Sequence, residues 1–383
     1  MTRRVAILCE FGTLNGGEHS LLAVLPRLIA CGWTPTVFGP ASGALMATLR
    51  ARDIAVEPIE YRASDGGARP RNLLREEIAD RLRSLEPSLL HANSLSMGRL
   101  SGPVAEALAL PSIAHLRDIV GLSKAAVGDL NRHRRLLAVS AATREAHVRQ
   151  GLIPERTCVL YNGVDVTEFQ PSEPNGWLQR ELGLPHDAQL IGCVGQLILR
   201  KGQHVLADAA AMLADRWPTL QYVFVGTRHS EKEETRRFEE NLRSTFSSGA
   251  LASRGHFLGV RTDVPSLLRE LTLLAHPARQ EPFGRVLLEA GASGCAIVAT
   301  DVGGTREIFA PDSEAAVLIA PDDPRGLAEA IEELLLHPER RAELGQRARR
   351  RIVDAFGAER SAEGLLRHYN EVSDANGTVA CLA

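Results

Sequence analysis

Short apolar runs alternate with longer amphipathic stretches almost from end to end of the chain. Residues 4–9 read RVAILC and are followed by GEHSLLAVLPRLIACG, in which apolar positions recur at helical spacing. TPTVFG, SLLHAN, SIAHLR and RLLAVS continue the alternation. Continuous apolar runs predict strands buried on both faces, and the helical patterns between them predict βα units of a parallel sheet. Near residue 169 the rhythm breaks in FQPSEPNGWLQRELGLPHDAQ, rich in Pro, Gly, Asn and charge, which reads as a linker. A second series then starts with LIGCVGQ at 190–196 and runs through LQYVFVG, HFLGV, LTLLAHPA, AIVAT and AVLIA. The pattern predicts an α/β protein of two doubly wound, Rossmann-like domains, 1–168 and 188–359, joined by the linker 169–187.

Composition agrees with ordinary globular folding and adds little else. The 383 residues carry a formal charge of -3, which gives no reason to expect nucleic acid. Of 44 Lys and Arg only Lys124, Lys201 and Lys232 are lysine, which reads as the codon bias of a GC-rich genome and a bacterial source. Cys9, Cys31, Cys158, Cys193, Cys295 and Cys381 lie far apart, mostly in apolar runs, and are expected as buried reduced thiols. The apolar run at the N-terminus is shorter than the roughly 7–15 residues of a secretion signal, and no run approaches the roughly 20 of a membrane span. A cytoplasmic location is the expectation.

Doubly wound sheets bind ligands beyond the carboxyl ends of their strands, so chemistry is sought there. After the first strand, Asn15, Gly16 and Gly17 precede a helix. Adjacent glycines let backbone N–H groups approach a phosphate or sugar, although a plain turn is the alternative. In the second series the strand LTLLAHPA leads to EPFGRVLLE, residues 281–289. Proline there places Glu281 at a loop mouth and starts a helix near Pro282 to Gly284, with free N–H groups around Phe283, Gly284 and Arg285 as an anion site. Glu289 lies deeper by roughly 7–8 Å along the helix axis, about the step from a pyrophosphate to its ribose. Glu289 therefore suits ribose hydroxyls and Glu281 a sugar beyond the phosphates; a capping residue and a solvated helix position are the bland alternatives. An unpaired carboxylate in the apolar RVLLEAGASG would be costly.

With these residues in view the sequence resembles the retaining glycosyltransferases of family 4, which have the GT-B fold. EPFGRVLLE matches the family's two glutamates at Glu281 and Glu289. NGGEHSLLAVL resembles its N-terminal Gly-Gly loop, YNGVDVTEF (161–169) its Asn-Gly-Val-Asp segment, GQLILRKGQHVL its phosphate clamp, and VGGTREI (302–308) its late Gly-Gly turn. The resemblance covers nearly the whole chain. It implies two domains facing each other across a cleft, the first binding the acceptor and the second the nucleotide sugar, with 360–383 packing back on the first.

The resemblance also implies roles. Lys201 meets the donor pyrophosphate. Gln196 stands where the family usually has an arginine, and it brings no charge, so Arg200 is a candidate substitute. The donor site then comprises Gly16, Gly17, Gln196, Arg200, Lys201, Glu281, Phe283, Gly284, Arg285 and Glu289, with His115, Lys201 and Glu281 as catalytic residues. His115 touches the transferred sugar; without the resemblance it reads as a satisfied structural histidine. Asn15, His91, Asn93, Arg117 and Asp118 are acceptor-side candidates, and Gly303, Gly304 and Glu307 frame the site or cap a helix. The basic NRHRR (131–135) reads as a solvated helix end, with a phospholipid acceptor or peripheral membrane contact as the alternative.

The activity so implied is transfer from a nucleoside-diphosphate sugar, UDP being the commonest, to a hydroxyl acceptor, with retention and without a metal or other cofactor. A polysaccharide, a lipid-linked sugar or a small molecule remains open as the acceptor. The rivals are a sugar-nucleotide epimerase or a glycan phosphorylase on the same architecture, and a non-catalytic nucleotide-sugar-binding partner of another transferase.

Overall fold

In the computed structural model, which describes residues 3–63, 67 and 69–374, the chain divides into two compact units, Met1–Gly163 with Ala358–Ala383, and Val164–Gly357. In the first unit the chain runs β1 (Arg3–Leu8), α1 (Gly16–Ala30), β2 (Trp33–Gly39), α2 (Ala44–Ala51), β3 (Ala55–Pro58), α3 (Arg71–Leu85), β4 (Leu89–Ala92), α4 (Leu95–Ala107), β5 (Ser112–Leu116), α5 (Lys124–Leu130), β6 (Arg135–Ala138), α6 (Ala141–Val148) and β7 (Thr157–Val159). The strands form one parallel sheet in the order β3-β2-β1-β4-β5-β6-β7. Every residue of β4, β5 and β6 is buried, as strands covered on both faces require.

Local chemistry starts the helices. Ser94, Ser123 and Ser140 each accept the N–H three residues on, at 3.2, 3.2 and 3.0 Å, and so cap α4, α5 and α6. Two prolines stand inside helices and cannot donate to the carbonyl four residues back. In both cases an arginine replaces the missing N–H. Arg52 donates to Leu22 O (3.3 Å), the carbonyl Pro26 leaves unbonded, and Arg75 donates to Arg99 O (3.0 Å), which Pro103 leaves unbonded.

The second unit runs α7 (Trp177–Glu181), β8 (Leu190–Val194), α8 (Gln203–Leu213), β9 (Gln221–Val225), α9 (Glu233–Thr245), β10 (Gly255–Phe257), α10 (Val264–Glu270), β11 (Leu273–His276), α11 (Arg285–Ala292), β12 (Ile297–Thr300), α12 (Thr305–Ile308), β13 (Val317–Ile319), α13 (Pro324–Leu336) and α14 (Pro338–Phe356). Its parallel sheet has the order β10-β9-β8-β11-β12-β13. The last described helix, α15 (Ala358–Ser373), belongs to the first unit and lies against α1. Leu365, Leu366, Tyr369 and Val372 join Leu21, Leu25, Leu28 and Trp33 in one buried cluster.

Three expectations change. Residues 164–187 are part of the second unit, not a linker after residue 168: Glu270 accepts the N–H groups of Asn175 (3.0 Å) and Gly176 (2.9 Å), and Leu178 is fully buried. The polar composition of that stretch reflects a turn bound to a carboxylate. Cys9, Cys31, Cys193 and Cys295 are free, but Cys31 is exposed and Cys158 is disulfide-bonded; isolated spacing gave no sign of pairing. Cys381 lies outside the described residues. NRHRR is solvated only in part: Arg132 and Arg134 are exposed, but His133 and Arg135 are buried. His133 bonds Ser112 Oγ and Gly98 O, both at 2.9 Å, Arg132 pairs with Glu106, Arg134 donates to Val372 O, and Arg135 bonds His368 and Glu371. No described helix is long and apolar enough to cross a membrane.

Because α15 completes the core of the first unit, Leu365→Ala should destabilise it by about 2–5 kcal/mol through the cavity left against α1. Urea unfolding followed by circular dichroism measures this, and a change below about 1 kcal/mol would mean that α15 is not part of that core.

Candidate functional site

Strand order reverses between β8 and β11 in the second sheet, and the loops leaving these neighbouring strands carry its polar residues. The loop after β8 ends in a single tight turn, Leu199–Lys201, closed by Gly202 at φ +71°. A Cβ on Gly202 would lie 1.8 Å from Pro277 O, so only glycine lets this turn lie against the exit of β11. Arg279 N donates to Arg200 O at 2.9 Å and fixes the contact.

This junction brings Lys201 to Glu281. Lys201 Nζ stands 2.5 Å from Glu281 Oε2, and His276 Nε2, at the end of β11, stands 2.8 Å from the same oxygen. Burial alone would raise the Glu281 carboxyl, but the Lys201 charge and the bond from His276 outweigh it and hold the group well below the usual carboxylate range. Burial lowers His276, so the ring is neutral. An ionised carboxylate only accepts, which puts the ring proton on Nε2. Gly304 N donates to Glu281 O at 3.0 Å, and a Cβ on Gly303 (φ +52°) would lie 2.0 Å from that oxygen. The late Gly-Gly turn thus holds the Glu281 loop, with Glu307 on the helix that follows.

Glu289 lies on α11, which begins at Arg285 after Gly284 in the left-handed region (φ +98°). Arg285 Nε lies 2.7 Å from Glu289 Oε1, an ion pair one turn apart on the helix. Burial raises the Glu289 carboxyl and Arg285 opposes the shift. Phe283, expected to offer its backbone N–H, has its ring in the core against Phe356, centroids 5.6 Å apart. Gln196 is half-buried, and its carbonyl accepts from the buried Gln203 at 2.8 Å. The Arg200 guanidinium makes no hydrogen bond or ion pair among the described residues.

In the first sheet the order reverses between β1 and β4. Here Arg117 is the organiser. It donates to Asn93 O, Asn93 Oδ1 and Asn162 Oδ1, each at 2.8 Å. Its Cδ would be 3.0 Å from a Cβ on Gly17. Glu18 Oε2 accepts from Asn15 N at 3.1 Å, so the start of α1 at Gly16 already holds an acidic group, buried and raised by desolvation. An anion expected at Gly16 and Gly17 would meet that group. His91 and His115 are both buried and joined at 2.7 Å. Asp118 is exposed, and its carbonyl accepts from His147. His91, His115, Arg117, Tyr161 and Asn162 help to line a cavity of about 10 Å³, room for roughly one water.

The expected residues thus form two sets, one per unit: Lys201, Glu281, Arg285 and Glu289 with Gln196 and Arg200 nearby, and Asn15, His91, Asn93, His115 and Arg117. His276, Asn162 and Tyr369 were not anticipated. His276 had a signal: it ends a strand one loop before Glu281, as His91 and His115 end theirs. Among the described residues no group of three His, Cys, Asp or Glu side chains is placed to hold a metal.

Comparison with known proteins agrees with this geometry. Residues 14–168 match the family described as Glycosyltransferase Family 4, and residues 178–351 match Glycosyl transferases group 1. The alpha-maltose-1-phosphate synthase of Mycolicibacterium smegmatis is 32% identical over 253 residues, which are 62% of this chain and 63% of that protein. The D-inositol 3-phosphate glycosyltransferase of Corynebacterium urealyticum is 30% identical over 246 residues, 62% of this chain and 57% of that protein. The chain thus spans about six tenths of the length of these relatives. The crystal structure of Anabaena HepE in complex with UDP and glucose superposes with a TM-score of 0.84 at 25% identity, covering 96% of this chain and 99% of that one. The two matched families account for nearly the whole sequence, in the order of the two units: the chain belongs to glycosyltransferase family 4 and has the GT-B fold.

Proposed function

We propose that the chain transfers a hexosyl group from a nucleoside-diphosphate sugar, with UDP the first nucleotide to test, to a hydroxyl acceptor, with retention and without a resident metal. The observation that carries this reading is the convergence of Lys201, His276 and Glu281 at the switch point of the second sheet, with Glu289 on the helix that follows. HepE, solved with UDP and glucose, supports the choice of nucleotide.

Each group has a task its chemistry suits. Lys201 is a compact cation for the diphosphate, and Arg200 supplies the second charge that Gln196 lacks. Glu281, ionised and acceptor-only, takes hydrogen bonds from the hydroxyls of the sugar, and Glu289 takes those of the ribose. His115 in the first unit presents a neutral imidazole to a sugar hydroxyl. In the reaction the bond from the anomeric carbon to the diphosphate breaks and the acceptor oxygen bonds that carbon on the same face. The acceptor proton passes to an oxygen of the departing diphosphate. Charge growing on that group is what Lys201 and the helix-end N–H groups stabilise.

Thermal unfolding with UDP, GDP, ADP or dTDP, with and without EDTA, tests the reading. One diphosphate at 100 times its dissociation constant should add about 2.7 kcal/mol, EDTA should leave the effect unchanged, and Glu289→Ala should abolish it. Stabilisation by none, or by one in wild type and Glu289→Ala alike, would reject the ribose role. Binding without transfer or slow donor hydrolysis would favour a non-catalytic partner, a reading that Gln196 in the clamp keeps in the test.

Lys201→Met should lower transfer by on the order of 10²-fold and show a distinctive pH dependence. In the wild type the depressed Glu281 carboxyl adds stability above its unfolded value near 4.5, lost as pH falls towards the folded value. In the variant the buried, unpaired carboxylate is instead a cost that fades on protonation. The difference in stability should therefore be roughly 3 kcal/mol or more at pH 7 and shrink below pH 4.5. A difference constant from pH 7 to pH 4 would show that the ion pair does not hold Glu281 ionised.

A further inference from the structure

Glu289 depends on a single partner. Among the described residues the Arg285 guanidinium is the only cation and the only side-chain hydrogen-bond donor at its carboxylate, with Nε 2.7 Å from Oε1. The dependence is mutual, since Arg285 makes no second ion pair among the described residues.

Helix stability does not account for this pair. Arg285 is the first residue of α11 and Glu289 lies in its last turn. A helix dipole favours an anion in the first turn and a cation in the last, so each charge stands at the end that opposes it. For a pair one turn apart, the glutamate is better placed before the cation than after it. Nor does the surrounding core call for a carboxylate, because Leu287, Leu288, Ala290 and Ala292 are all buried.

The other charges on neighbouring elements are engaged elsewhere. On α14, Arg349 donates to Val166 O, Phe169 O and Ala292 O, and Arg351 donates to Glu307 O and Ile308 O. On α12, Arg306 pairs with Asp301. Glu168 also acts on Glu289, but a like charge disfavours ionisation, as burial does. Arg285 therefore stands alone against both. The charge matters to a ligand: a protonated carboxyl turns one of its oxygens into a donor, and a hydrogen bond to a charged acceptor is roughly twice as strong as one to a neutral group.

We propose that Arg285 is a positioning residue for nucleotide recognition, pairing with Glu289 so that the ribose hydroxyls meet a charged acceptor. The proposal rests on the reading that Glu289 binds the ribose.

The test compares UDP with 2′-deoxy-UDP on the full chain by calorimetry, from pH 6.5 to pH 8.5. If another diphosphate is the one that stabilises the protein, that nucleotide and its 2′-deoxy form replace them. Both probes carry the same base and diphosphate, so phosphate ionisation and any contact of Arg285 with phosphate cancel in the ratio. Wild type should favour UDP by about tenfold, one hydrogen bond to a charged group, nearly level across the range. In Arg285→Met the carboxyl loses its cation and holds its proton to higher pH. The advantage should then drop to about twofold at pH 6.5 and climb back towards the wild-type value by pH 8.5. Arg285→Lys, which restores a charge, should keep most of it, and Glu289→Gln should lose most of it at every pH. Arg285→Gln, neutral like methionine, takes the same test if Arg285→Met does not fold. An advantage in the neutral variants that equals wild type throughout, or is lost equally at every pH, would overturn the proposal. If Glu289→Gln keeps the full advantage, the ribose reading itself fails, an outcome distinct from failure of the Arg285 role alone.

Discussion

A parallel sheet covered by helices on both faces can meet solvent only through the ends of its strands. In both units this constraint removes the strands themselves from chemistry and drives the working residues to the loops beyond their carboxyl ends. The reversal of strand order between β1 and β4, and between β8 and β11, then sends successive loops apart and leaves a crevice between them. Gly202 and Gly303 show what it takes to build there: each lets one backbone lie closer to another than any Cβ would permit. Position, more than residue type, makes Lys201 and Glu281 a pair.

The same economy explains the arginines. A composition rich in arginine and poor in lysine needs no more than codon bias, yet many of these side chains do structural work that lysine would do less well. Arg52 and Arg75 bond carbonyls freed by helical prolines, and Arg341, Arg349 and Arg351 bond Leu334 O, Ala292 O and Ile308 O, at or near the ends of α13, α11 and α12. A fork of donors reaches two carbonyls at once, as Arg351 does with Glu307 O and Ile308 O. Each such bond from a charged donor contributes about 1.5–3 kcal/mol. In NRHRR, Arg134 bonds a carbonyl in this way, Val372 O, while Arg135 is buried against His368 and Glu371.

What could be read in the sequence follows from what is local. Strands buried on both faces write themselves as apolar runs, and the two parallel sheets were legible for that reason. Glu289 drew attention because a carboxylate in an apolar helix asks for a partner, and Glu281 because the following proline puts it at a loop mouth. His276, Asn162 and Tyr369 were not legible, because each acquires its place from a residue distant in the chain or in a neighbouring element: His276 from Lys201 and Glu281, Asn162 from Arg117, Tyr369 from His91. The Phe283 ring was not legible for the converse reason. Its motif points at a ligand, but a phenyl ring after a loop proline gains more by packing on Phe356 than by facing water. Residues 169–187 look like a linker until Glu270, about a hundred positions on, is seen to bind their backbone.

The two glutamates show how far local sequence leaves electrostatics open. Glu281 is buried and Glu289 half-buried, both lie beside a cation, and eight positions separate them, yet their carboxyls are shifted in opposite directions. Glu281 receives the Lys201 ammonium and a hydrogen bond from His276 on one oxygen, which more than repays desolvation. Glu289 has the Arg285 guanidinium beside it, but the charge and hydrogen bonding of that one partner do not outweigh the cost of burial. A carboxylate in that condition has acceptor capacity unspent and gains from any pair of hydroxyls that reaches it. Under the proposed function a ribose diol is that pair. Binding there would satisfy Glu289 for the first time, whereas at Glu281 a sugar must share a carboxylate that already has its partners.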